Sequence, residues 1–147
     1  MENQEHNLAE LKLEKAIDER LDEVVLLAEN RVKNSQMVSS GISKSQLNSA
    51  LVAATETNSS PLSIKNWLLY QAGRDKAKWD MPIVKAIAED LEKLKEIAGK
   101  LAEKVTGISV ENIHVRLIRI YLGYLKRSYI YEFKVWKEGN NRGGRRV

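Results

Sequence analysis

The chain predicts an all-α protein, a single five-helix bundle with a flexible basic C-terminal tail. Three observations lead there. Apolar residues recur three and four positions apart over most of the 147 residues, the spacing that lines one face of an α-helix. No stretch alternates apolar and polar residues for long enough to make a convincing strand. Between the periodic stretches, Ser, Asn, Gly and Pro stand where one helix ends and the next begins.

The first helix is predicted over residues 8–34. Leu8, Leu11, Ala16, Ile17, Leu21, Val24, Val25 and Ala28 face the core, and Glu and Lys face water. Asn34, Ser35, Ser39, Ser40 and Gly41 break this pattern and place a turn there. Ser43 is a predicted N-cap. Gln46 follows three residues later, where its side chain reaches back to the cap's own N–H. The helix so opened turns Leu47, Leu51 and Ala54 inward and fades in Thr57, Asn58, Ser59 and Ser60. Ser60 caps a third helix that starts with Pro61, whose missing N–H costs nothing at a first helical position. That helix buries Ile64, Trp67, Leu68 and Ala72.

Asp80 before Met81 and Pro82 repeats the stop-and-start signal. The fourth helix runs to about residue 105 with Ile83, Ile87, Leu91, Leu94, Ala98, Leu101 and Val105 inward, and its outer face reads as a solvated Glu/Lys lattice. Gly107 ends it. Ser109, with Asn112 three residues on, opens a fifth helix to about residue 136 that carries Ile113, Leu117, Ile120, Tyr121 and Tyr124. The aromatic and β-branched content of residues 129–135 leaves a short extended segment open there. Residues 139–147 have almost no apolar content and are predicted disordered, so the bundle domain spans residues 1–138.

Composition removes several function classes. Zero cysteines exclude disulfides, thiolate metal sites and thiol catalysis. No apolar run approaches the roughly 18 residues that cross a bilayer, and no charged-then-apolar signal segment opens the chain, so a cytoplasmic protein is expected. His6 and His114 stand far apart without an acidic cluster to complete a metal site. His114 is expected as a partly exposed helix residue. Neither Gly-rich phosphate loop is present, because Gly73 stands alone and Gly143-Gly144 precedes no helix. A non-catalytic protein without cofactor or metal is the expectation.

Charge distribution says more than the net +4. Residues 1–34 carry five Lys and Arg against nine Asp and Glu, residues 43–79 carry five against two, and residues 114–147 carry nine against two. Arg74, Lys76 and Lys78 crowd the end of the third helix, where cations also complement the helix dipole. That explanation does not extend to the fifth helix. There Arg119 follows Arg116 by three residues, and Lys126 and Arg127 follow Arg119 by seven and eight, with only Glu111 and Glu132 as acidic neighbours. Such a row suits backbone phosphates of a nucleic acid. Tyr70, Trp79, Tyr129 and Trp136 are candidate base-stacking aromatics, with core or rim packing as their competing role.

Ser43-Lys44-Ser45-Gln46-Leu47, followed by Leu68-Leu69-Tyr70-Gln71-Ala72-Gly73-Arg74, resembles the small helical subunit of type III-A CRISPR effector (Csm) complexes. Tyr121-Leu122-Gly123-Tyr124-Leu125-Lys126 looks similar to that family's closing Tyr-and-Lys helix. The matching residues cover about a third of the chain. Asn48 stands where the family often carries Arg, and the acidic first helix and Arg-rich tail lie outside its pattern. The resemblance implies a helical bundle that acts as a non-catalytic subunit in antiviral defence. Copies of it would stack beside other effector subunits and embrace the guide RNA–target RNA duplex through its sugar-phosphate backbone. It implies a binding role for Arg74, Lys44 and Lys126; Arg116, Arg119 and Arg127 come from the charge pattern alone.

Two other classes remain open. The pair of helices within residues 43–79 reads as a helix-turn-helix of a DNA-binding regulator, although the link Thr57 to Pro61 lacks the short Gly-containing turn. An acidic first helix docking on a basic partner describes a protein–protein adaptor.

Overall fold

The computed structural model describes residues 2–56, 59–74 and 79–144. Five helices follow one another: α1 (Glu2–Asn34), α2 (Lys44–Thr55), α3 (Pro61–Gly73), α4 (Met81–Lys104) and α5 (Val110–Gly144), with one turn of 3₁₀ helix at Met37–Ser39 between the first two. The protein is an all-α bundle, and no strand occurs among the described residues.

Three of the expected caps form, while Asp80 occupies the N-cap position of α4 without a side-chain capping bond. Ser43 Oγ accepts the Gln46 N–H at 3.3 Å, while Gln46 Oε1 accepts the Ser43 N–H at 2.7 Å. Ser60 does the same with Ser63, at 3.1 and 2.7 Å, ahead of Pro61. Ser109 Oγ accepts the Asn112 N–H at 3.1 Å and opens α5. Each pairing satisfies N–H groups that a helix start otherwise leaves without acceptors. Gly41 and Gly107 hold φ of 91° and 94° in the turns before α2 and α5, where a Cβ would be strained.

α5 is the central element. α1 lies along it in the same direction, since Glu10 meets Arg116 at one end while Glu29 and Lys33 flank Tyr131 at the other. α2 runs the opposite way: Ile42 meets Tyr129, Asn48 meets Lys126 and Ala54 meets Arg119. The short turn at residues 105–109 folds α5 back along α4, and α3 packs mainly on α4.

The α4 stripe is as predicted: Ile83, Ile87, Leu91, Leu94, Ala98, Leu101 and Val105 are all buried. Ile113, Leu117 and Tyr121 of α5 join them with Ile118, Leu122, Leu125 and Tyr129, leaving Ile120 and Tyr124 at the margin. In α2, Leu47 and Ala54 are buried as expected, with Ala50 in place of the half-buried Leu51. Trp67 packs at the core edge against the buried Trp79, rings edge to face with centroids 6.2 Å apart.

Three expectations need correction. α1 begins at Glu2, and its N-terminal half is rotated from the predicted face: Leu8 and Leu11 are 54% and 63% exposed, while Ala9 and Leu13 are buried. Leu11 stands five residues before Ala16, about 140° around the helix, whereas Leu13 and Ala9 step back from Ile17 by four each. No extended segment interrupts residues 129–135, because α5 is continuous. Third, α5 runs to Gly144, past its predicted end near residue 136, and residues 145–147 lie outside the described ones.

Candidate nucleic-acid interface

The face that α5 presents outward is set by a polar cluster in the core. Asp90 of α4 is completely buried. Arg31 of α1 donates to it from Nε and Nη2, both at 2.9 Å, and the Tyr121 hydroxyl of α5 donates to Oδ2 at 2.5 Å. A buried carboxylate is tolerable only when paired and hydrogen-bonded, and here two donors from two other helices do both. Donating to the Asp90 carboxylate raises the Arg31 pKa above its ordinary value. Burial, reinforced by the Asp90 charge, pushes the Tyr121 phenol well up. Both donors therefore keep their protons across the physiological range. Sequence reasoning missed this cluster by assigning the α4 charges to a solvated lattice. The signal was present: Asp90 stands three residues after Ile87 and four before Leu94, on the apolar stripe itself.

Of the expected cations, two are engaged inside the bundle. Arg116 pairs with Glu10 of α1 at 2.8 Å. Arg119 donates from Nε to the Ala54 carbonyl at 2.6 Å and from Nη2 to Ser59 Oγ at 3.3 Å, and so closes the C-terminal end of α2. The row is thus not unpaired along its length, because α1 and α2 supply partners that neighbours on α5 could not. The other end differs. Lys126 donates to Asn48 Oδ1 of α2 at 2.9 Å. Lys44, one helical turn before Asn48 on the same face of α2, is exposed. Arg127 is exposed with its guanidinium 5.2 Å from the centre of the Tyr124 ring. Among the described residues, none of Lys44, Lys126 and Arg127 forms an ion pair. Exposed Lys134 and Lys137 continue the α5 row past them.

Arg74 is the exposed C-cap of α3, with its N–H bonded to the Tyr70 carbonyl at 3.1 Å. Lys76 and Lys78 lie outside the described residues. The structure therefore brings Lys44 and Lys126 together at the α2–α5 seam, while Arg127, the next residue of α5, lines the grooves between α5 and α1 with Asp18, Glu29 and Glu132. Arg116 and Arg119 form a second group nearer the start of α5, with Arg116 about 16 Å from Arg127 along the helix axis at 1.5 Å per residue.

The aromatic candidates divide. Tyr129 is buried with its hydroxyl on the Ile42 carbonyl, and Trp79 is buried against Trp67, so neither ring is open to a base. Tyr70 and Trp136 are exposed at 61% and 39%.

His114, expected partly exposed, is buried, with Nε2 2.8 Å from the Leu91 carbonyl. Nε2 therefore carries the proton and donates. Burial lowers the His114 pKa, aided by Lys95 and opposed by the Leu91 carbonyl and Glu92. The folded state prefers the neutral ring, so the stabilisation is complete above the ordinary histidine value and is lost as pH falls below it. The excess stability of the wild type over His114→Asn is expected to shrink between pH 7 and pH 5 in paired urea titrations. A gap that stays constant would place the ring in water.

Among the described residues no helix is long and apolar enough to cross a membrane. Comparison with family models, curated proteins and solved structures returns no match for this chain.

Proposed function

We propose that the protein is a non-catalytic, RNA-binding small subunit of a cytoplasmic type III CRISPR ribonucleoprotein, acting in antiviral defence. Copies of it stack beside other effector subunits and hold the guide RNA–target RNA backbone without reading its sequence. The motif residues of the segments 43–47 and 68–74 support the family part of this reading. One observation supports the binding part: the bond between Lys126 and Asn48 joins the motif helix α2 to the basic helix α5 and sets Lys44 beside Lys126, neither of them, nor the following Arg127, in an ion pair among the described residues. Phosphates neutralise such a group and release bound counterions.

The test is the salt dependence of RNA binding. With roughly three to five phosphates engaged, log K falls against log salt with a slope of about −2 to −4, at about 0.7 per phosphate on a single strand. Replacing Lys44, Lys126 and Arg127 together by Ala makes that slope shallower by about 2, alike for RNAs of different sequence. A flat salt response of the wild type would remove the proposal. Loss confined to one RNA sequence would replace it with base readout.

A protein–protein adaptor is the second reading, favoured by one feature of the same helix. The grooves beside α5 set carboxylates among their cations: Asp18 near Arg119 and Arg127, and Glu29 and Glu132 near Lys33 and Arg127. Those walls repel a polyanion and suit a partner surface of mixed charge. Capture of the same partner proteins with and without nuclease treatment selects this reading.

A further inference from the structure

One cleft at the opposite end of the bundle from Lys126 differs from the grooves along α5 in chemistry. It has a volume of about 230 Å³ and lies where α1, the link between α2 and α3, and the start of α5 converge. Its polar walls are Glu10 and His6 of α1, Ser59 of the link, and Asn112, Arg116 and Arg119 of α5. Both guanidinium groups are positioned before any ligand arrives. Arg119 is held by the Ala54 carbonyl and Ser59 Oγ, and Arg116 by the Glu10 carboxylate. A guanidinium carries five N–H donors. Arg119 spends Nε and one Nη2 hydrogen on the protein, and among the described residues no hydrogen bond takes up the Nη1 donors of either arginine.

We propose that this cleft binds a phosphomonoester, the terminal phosphate of a nucleotide or of an RNA end. Arg116 and Arg119 hold its oxygens, and Asn112 and Ser59 supply neutral donors at the sides. Glu10 is the internal anion that occupies Arg116 while the cleft is empty and gives way when the phosphate enters. A planar fork fixed at Arg119 and a second at Arg116, exchanging Glu10 for the ligand, match a tetrahedral oxyanion, and part of the ordering cost is met by the fold. A diester within a chain presents one charge and must continue past the cleft on both sides, whereas a terminal phosphate carries close to two charges and can end there. The inference does not require the RNA-backbone reading, since a mononucleotide tests it alone.

The experiment titrates the folded full-length chain with inorganic phosphate, with adenosine monophosphate and with adenosine, following the amide signals of Ser59 and Asn112. Saturable shifts with the first two and none with adenosine are expected. Arg116→Gln weakens binding about tenfold or more. Glu10→Gln strengthens it about two- to fivefold by removing the competing carboxylate. Asp22→Asn removes the same charge from α1 at an exposed position outside this cleft and leaves the affinity unchanged. Paired RNA oligonucleotides with a 5′-phosphate or a 5′-hydroxyl then separate an RNA end from a free nucleotide as the source. Equal effects of Glu10→Gln and Asp22→Asn, or no saturation with either phosphate probe, overturn the proposal. Because backbone binding is read from the salt slope of 5′-hydroxyl RNA, either idea can fail without the other.

Discussion

Asp90→Ala is expected to lower the unfolding free energy by about 3–5 kcal/mol, the cost of breaking a buried ion pair from one side. The substitution leaves the Arg31 guanidinium, 18% exposed, facing a space that held its carboxylate, and leaves the Tyr121 hydroxyl with no acceptor in a fully buried site. At about 3 °C per kcal/mol for a domain of this size, the midpoint drops by roughly 10–15 °C. Asp90→Asn costs less, because the amide oxygen still accepts one of the two donors. Replacing all three members by apolar residues of similar volume, as in Arg31→Met with Asp90→Leu and Tyr121→Phe, restores most of the stability, since no uncompensated charge remains. Urea titrations with matched slopes measure each step. A loss below about 1 kcal/mol for Asp90→Ala would mean that water reaches and solvates the cluster.

The second large effect tests the rotation of α1. Leu13→Ala removes a side chain with no exposure and is expected to cost about 2–5 kcal/mol, from lost burial and the cavity left behind. Leu11→Ala, two residues away and 63% exposed, stays within about 0.5 kcal/mol of wild type. The reverse ranking would restore the face predicted from sequence. Exposed Leu8 and Leu11 make the N-terminal half of α1 more apolar outside than its core contacts require.

How much was legible depended on how far apart the interacting residues lie in the chain. The seven apolar positions of α4, the Ser43–Gln46 box, the Ser60–Pro61 start and the Ser109 cap are interactions within one or two helical turns. Their residue types and offsets carry the whole requirement. Asp90 was legible in position but not in meaning: its place on the stripe says that it is buried, and nothing local says that Arg31, 59 residues away, reaches it. The site divides the same way. That residues 114–147 are basic is a property of the chain. How each cation is held is settled elsewhere, by Glu10 and Ala54 for Arg116 and Arg119, and by the neutral Asn48 for Lys126.

The sequence by itself determined an all-α bundle with its helix starts, its α4 core stripe and a basic final helix, because periodicity and capping are short-range and each element states them alone. Only the tertiary structure decided which side of α1 is inside, that Asp90 joins three helices, and that the α5 cations form two groups of different availability. Those outcomes rest on contacts between helices, where the partner's position is a property of the packed bundle and of no single segment.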